Sequence, residues 1–171
     1  DSWTRTNDSD LSNLFSSYGW WFGNIRVDPA NPNNVFVLGL DNYKTTNGGN
    51  YWFNTSGGIH VDQHGMYIHP LNPNFIVLGN DGGVYVSYNS GSNWYYRSNM
   101  PITQFYACDV DFQIPNRYYG GTQDNGTNRT LTGNQNDWQE ILGADGFYVL
   151  VDPSNNNFIY AESQYGGFTR S

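Results

Sequence analysis

Four aspartates, Asp62, Asp81, Asp124 and Asp145, stand beside turn residues, the setting in which two carboxylates can face each other across a cleft. Such a pair can hydrolyse a glycosidic bond, one group protonating the leaving oxygen while the other serves as base or nucleophile. Amides and one further carboxylate accompany them at Gln104, Gln123, Glu162 and Gln164, with aromatic rings at Trp20, Trp21, Phe105, Tyr106 and Phe147. Aromatic faces accept sugar rings and fixed polar groups orient hydroxyls, so the same set also suits binding without reaction. A plainer alternative stands beside both: Asn80-Asp81-Gly82-Gly83 and Gln123-Asp124-Asn125-Gly126 are tight-turn sequences, and the rings pack between sheets.

The run His60-Val61-Asp62-Gln63-His64 raises the question of a metal. Alternate residues of a strand share a face, but His60 and His64 lie roughly 13 Å apart along an extended chain, too far to share one ion. Either can join Asp62, yet a structural or channel-lining role is the expectation, and no metal or other cofactor is assigned. The acidic loops admit calcium on charge grounds, although no acidic run has a calcium-loop spacing.

The elements that must carry these residues repeat. Ile25-Arg26-Val27-Asp28-Pro29, a Pro-Asn turn and Val35-Phe36-Val37-Leu38-Gly39 are echoed by Met66-Tyr67-Ile68-His69-Pro70, a second Pro-Asn turn and Phe75-Ile76-Val77-Leu78-Gly79. Further copies begin at Cys108-Asp109-Val110-Asp111 and Val149-Leu150-Val151-Asp152. Asp28, His69, Asp111 and Asp152 therefore correspond, about forty residues apart, the period of a four-stranded propeller blade. Ile25 and Val27, Met66 and Ile68, Cys108 and Val110, and Val149 and Val151 alternate in phase, which predicts one buried face for each first strand. Strands A to D of each blade place the D-to-A and B-to-C loops at one end. Trp21, Asp62, Gln104 and Asp145 are equivalent there, each seven residues before the repeat's Asp or His.

A second periodic pattern marks the C-to-D corner. Ser87-Tyr88-Asn89-Ser90-Gly91-Ser92-Asn93-Trp94 and Thr45-Thr46-Asn47-Gly48-Gly49-Asn50-Tyr51-Trp52 share one frame of hydroxyl, Asn, Gly and Trp, with a degenerate copy at 132–138. Asn bonds its own backbone, Gly supplies positive φ, and Trp52, Trp94 and Trp138 open the D strands. This frame resembles the Asp-box, or bacterial neuraminidase repeat, of β-propellers in sialidases, xyloglucanases and the sortilin family, with Asn in place of Asp. The loop motifs with Glu162-Ser163-Gln164 look like those of sortilin-like, glycosidase-like secreted repeat proteins. The resemblance implies an all-β propeller of four-stranded antiparallel blades, and recognition more than catalysis. Sialidase activity is disfavoured, because Arg5, Arg26, Arg97, Arg117, Arg129 and Arg170 make no evident triad. The xyloglucanase comparison also departs, since that family sets its acids between two propellers.

Composition agrees with turns and sheets: 18% of the 171 residues are aromatic, Gly numbers 20, and Lys and Arg together number 7. The formal charge of −8 argues against nucleic acid or an anionic membrane as partner, because phosphate binding needs clustered cations. No apolar run has the length of a membrane span. Low Lys and abundant turn residues favour an extracellular, secreted or cell-surface protein. Asn7, Asn54, Asn125 and Asn128 head glycosylation sequons. Cys108 stands alone and is expected to be a small core residue.

The blades are expected at 18–56, 60–99, 103–142 and 145–171, the last holding strands A to C, with residues 1–7 as a D strand of a preceding blade and a short helical turn at 11–15. Three arrangements follow: a window of a larger propeller, a four-bladed ring closed by the N-terminal strand, or copies joined by strand addition. The partners are thus a glycan or extended peptide at the loop end, and further blades or neighbouring copies at the open edges. Binding ranks first, glycoside hydrolysis second and structural assembly third.

Overall fold

The computed structural model describes residues 2–100 and 102–171, and the chain divides into two compact units, Asp1–Ser98 and Asn99–Ser171. In the first, β1 (Asn24–Asp28), β2 (Asn31–Leu38), β3 (Asn42–Thr45) and β4 (Phe53–Asn54) form one antiparallel sheet. Its second sheet is β5 (Gln63–Ile68), β6 (Ile76–Asn80), β7 (Gly83–Ser87) and β8 (Tyr95–Tyr96). The second unit holds β9 (Phe105–Val110), β10 (Tyr118–Thr122), β11 (Thr127–Thr130) and β12 (Trp138–Leu142), then a three-stranded sheet of β13 (Val149–Val151), β14 (Ile159–Ser163) and β15 (Gly167–Arg170). Strands paired in chain order make each sheet a meander, the architecture of a propeller blade. The fold class is all-β. Among the described residues no helix is long and apolar enough to cross a membrane.

The phase of the first strands holds, but the match of the second strands is one residue out. Val27 pairs with Val35, Ile68 with Ile76, Val110 with Tyr118 and Val151 with Ile159. Val35, not Phe36, is thus the counterpart of Ile76, although Leu38-Gly39 and Leu78-Gly79 invite the other alignment. The difference lies in the B-to-C loop: Thr45 follows its partner Val35 by 10 positions, while Ser87 follows Ile76 by 11. A shift of one turns a side chain to the other face. Phe36 and Leu38 therefore point toward the second sheet, where they join Met66, Ile76, Leu78 and Tyr85, with Ile59, Ile68 and Trp94 packed alongside. The second unit's core is Tyr119, Val149, Val151 and Ile159, with Ile141 against it.

Burial of the first strands needs correction. Met66, Val149 and Val151 are buried, whereas Ile25 and Val27 are 57% and 52% exposed and Cys108 is exposed rather than a core residue. Alternation selects a face, but only an opposing sheet removes that face from water. Within each unit, the first sheet offers its other face to the core. Residues 2–7 likewise form no strand, because extended backbone needs a paired neighbour, and Asp1 of that expected strand lies outside the described residues. The expected turn at 11–15 is displaced to a 3-10 helix at Ser9–Leu11.

The corners explain why the frame recurs. Thr45 Oγ1 accepts from the Gly49 N–H at 3.0 Å and donates to Asn47 Oδ1, which in turn accepts from the Tyr51 N–H at 3.0 Å. Ser87, Asn89, Gly91 and Asn93 repeat these bonds at 2.8–3.0 Å. Gly49 and Gly91 have φ of 91° and 80°, a region closed to most side chains. The third corner starts at Thr130, two residues before the expected 132, and a carboxylate replaces the Asn. Thr130 donates to Asp137, which also accepts from the Thr132 N–H at 2.9 Å. These hydroxyl bonds hold the Asp137 carboxyl below the ordinary range.

Polar ties join successive sheets within a unit. Arg26 Nε donates to Met66 O at 2.9 Å, Trp94 Nε1 donates to Thr55 O at 2.8 Å, and Lys44 Nζ reaches Ser90 O at 2.7 Å. Burial lowers the Lys44 pKa, opposed by the charge of Asp28. Asp109 plays the part of Arg26 in the second unit, accepting from the Val151 N–H at 2.7 Å.

Candidate functional site

In the first unit the loop end is organised by buried Gln63, whose Nε2 donates to His60 O at 2.6 Å and whose Oε1 accepts from Asn80 Nδ2 at 3.2 Å. The ladder between β5 and β6 is irregular from Gln63 to Gly65, and His64 sits in that irregularity. Such bulges re-aim side chains. His64 Nε2 lies 2.6 Å from Asp81 Oδ1, with the two side chains 37% and 26% exposed. Its ring is edge-on to Trp21 at 5.9 Å and tilted against Phe22 at 5.5 Å. Trp20 lies 5.7 Å from Trp21, and both are exposed. A carboxylate oxygen of Asp62 is within 4.8 Å of one of Asp81, and Asp62 has a left-handed backbone with φ of 67°. His60 turns its Nδ1 to Val61 O at 3.1 Å, in the loop that precedes β5.

In the second unit Asp145 is the fixed point. Its Oδ1 accepts from the Asp124 N–H and its Oδ2 from Gln164 Nε2, both at 2.6 Å. Asp124 has φ of 59°, and Asn125 Nδ2 donates to Gln123 O at 2.9 Å, so this loop is a tight turn as well as a place for carboxylates. Glu162 is paired through its backbone to Phe147 and Tyr148. Tyr106 stacks on Phe147 with centroids 5.2 Å apart and planes 9° from parallel. Gln104 and Gln123 are exposed. Each unit thus combines carboxylates and aromatic rings at its loops.

The pairing of His64 with Asp81 and the place of Phe22 were absent from the sequence-based set. The signal lay in Gln63, a fully buried amide beside two histidines, which marks an irregular strand end. The sequons also differ in their amides. Asn7 Nδ2 donates to Asp10 and to Asn50 O, Asn125 Nδ2 to Gln123 O, and Asn128 Nδ2 to Asn125 O. Asn54 is exposed, and its Oδ1 accepts from the Ser56 N–H at 2.7 Å.

No protein-family model and no curated protein matches the chain. Among solved structures it is similar to an ancestral GH74 enzyme, with 26% identity, a TM-score of 0.39, and coverage of 81% of this chain and 21% of that one. It is similar also to the GH74 enzyme of Niastella koreensis, at 20% identity and TM-score 0.41, covering 81% of this chain and 24% of the other. For the GH74 xyloglucanase from Xanthomonas campestris the identity is 14% and the TM-score 0.39, with 86% and 36% covered. The chain thus spans between 21% and 36% of the length of these proteins.

Proposed function

We propose that the loop ends of these sheets form a recognition surface for a glycan or an extended peptide, in a secreted protein of the Asp-box, sortilin-like kind. One observation carries this reading: exposed Trp21, with exposed Trp20 packed beside it, stands edge-on to an imidazole already oriented by Asp81. Rings with open faces beside polar groups locked in place are what a sugar or backbone ligand needs, because little ordering remains to be done on binding. Asp145 supports binding over proton transfer, since both of its oxygens already accept hydrogen bonds. The partners are a glycan or peptide at the loops and further blades or copies at the sheet edges, while nucleic acid and membrane are disfavoured by the charge of −8. On an array of neutral and acidic glycans and extended peptides, Trp21→Ala should weaken retention at least tenfold. Equal retention by the variant would sink the assignment of this surface.

A glycoside hydrolase is the second reading, favoured by the closeness of the Asp62 and Asp81 oxygens, within 4.8 Å. Hydrolysis released into solution should then vanish in Asp62→Asn and in Asp81→Asn with folding intact. Turnover unchanged in both variants would remove this pair from consideration.

A further inference from the structure

One ring nitrogen of His64 is committed and the other is not. Nε2 lies 2.6 Å from Asp81 Oδ1, and a carboxylate accepts, so the proton of the neutral imidazole sits on Nε2 and Nδ1 is left as a bare acceptor. Nδ1 has no hydrogen-bond partner among the described residues. Nor is it one of their buried unpaired atoms, which belong to Asn42, Trp52, Arg117, Thr127 and Arg129. An acceptor therefore reaches the surface here, on a side chain 37% exposed. Asp81, Trp21 and Phe22 hold the ring, and Asn24 Nδ2 donates to His64 O at 2.9 Å; all four belong to the first unit.

The backbone around this nitrogen is already spent. The N–H groups of Asp62 and Gln63 donate to Leu40 O and Gly39 O, both at 2.8 Å. His60 O accepts from Gln63 Nε2 at 2.6 Å and from Asn80 Nδ2 at 2.9 Å. An extended peptide is ordinarily held by main-chain bonds along a strand edge, and these groups cannot supply them. What remains to offer a ligand is side chains: an indole and an imidazole nitrogen.

We propose, resting on the recognition reading above, that His64 determines specificity at the loop end: Nδ1 accepts a hydroxyl of a neutral glycan whose ring lies against Trp21. A sugar supplies both halves of the match. Its C–H face suits the 62% exposed indole, and each hydroxyl of its rim is a donor for a nitrogen that can only accept. An acidic sugar lacks that match, since a bare imidazole nitrogen donates nothing to a carboxylate, and the oxygens of Asp62 and Asp81, within 4.8 Å of each other, repel it.

The test is calorimetric titration of the whole chain in mildly alkaline buffer, joined to NMR of protein carrying isotope-labelled imidazole nitrogens. The probes are cellohexaose, mannohexaose and xylohexaose as neutral glycans, hexagalacturonate as an acidic one, a chitosan hexamer as a cationic one, and a proline-rich peptide. At least one neutral glycan should bind more tightly than the other three classes of probe. On saturation the His64 Nδ1 resonance, that of an unprotonated nitrogen, should move while Nε2 stays protonated. His64→Gln keeps a donor for Asp81 but has no atom to stand for Nδ1, so it should weaken binding about fivefold or more. His64→Asn offers an amide oxygen in place of Nδ1 and should weaken it less. Matching urea midpoints check the fold of both variants. A protonated Nδ1, an Nδ1 resonance indifferent to ligand, equal losses in the two variants, or tighter binding of the acidic glycan, the cationic glycan or the peptide would each overturn the proposal. Trp21→Ala separates it from the reading on which it rests. Binding lost in that variant but intact in both His64 variants would keep the surface and remove His64, whereas binding indifferent to Trp21→Ala would remove the surface itself.

Discussion

Removing one hydroxyl from the second corner, Ser87→Ala, should cost more than any exposed substitution around it. Ser87 is fully buried; its Oγ accepts from the Gly91 N–H at 2.8 Å and the Asn89 N–H at 3.2 Å, and donates to Asn89 Oδ1 at 3.0 Å. Gly91 is buried, so its N–H is left without a partner, a loss of about 1–3 kcal/mol. Asn89 is exposed and water can replace what it loses, which adds about 0.5–1 kcal/mol. The expected destabilisation is therefore about 3 kcal/mol, against less than about 0.5 kcal/mol for exposed Ser92→Ala. Urea unfolding followed by tryptophan fluorescence suits this measurement, since Trp138 alone of the 6 tryptophans belongs to the second unit. A lowered midpoint at unchanged slope is the expected result. Equal midpoints for the two variants would refute the account of the corner as a buried hydrogen-bond hub.

Thr45→Val keeps the shape of the first corner but loses the bonds to Asn47 and Gly49, so it should reproduce the Ser87→Ala effect in sign and rough size in the same urea assay. Because burial lowers the Lys44 pKa, the unfolded state binds more protons, and stability should rise with pH as the ordinary value of 10.5 is approached. Unfolding midpoints of the wild type should accordingly gain on those of Lys44→Met as pH rises toward 10.5, and parallel curves would contradict this burial. The Asp137 carboxyl is depressed by the hydroxyls of Thr130 and Thr132, so its contribution is present above the ordinary 3.8 and lost as pH falls through its lower folded value. Urea midpoints across an acid series should show the advantage of the wild type over Asp137→Asn shrinking only below about that pH, and an advantage already lost above it would contradict the bonds described. Gly121→Ala would place a Cβ 2.0 Å from Phe147 O and 2.6 Å from Gly146 C, so backbone must move; a destabilisation of at least about 2 kcal/mol is expected by urea titration.

Much of the local architecture was legible. Corners at Thr45 and Ser87 are written by residue type, since hydroxyl, Asn and Gly satisfy the turn from within a few residues. Alternation in Ile25 to Val27 and Met66 to Ile68 likewise reports strands. The same logic misled where the answer depended on a partner. Leu38-Gly39 resembles Leu78-Gly79, yet pairing of Val27 with Val35 and Ile68 with Ile76 sets them on opposite faces. At the candidate site, Asp81 and His64 lie 17 positions apart, and only the irregular ladder beyond Gln63 brings them within 2.6 Å.

The sequence by itself determined the period, the strands and the turns, because these rest on backbone preferences and on bonds that close within a few residues. Tertiary structure decided which of the in-phase faces is dry, leaving Ile25, Val27 and Cys108 in water while Met66 and Val149 are buried. It also decided which polar groups meet, joining His64 to Asp81 and Asp145 to Gln164. Burial and long-range polar contact are properties of two surfaces together, and a single repeat specifies only one of them.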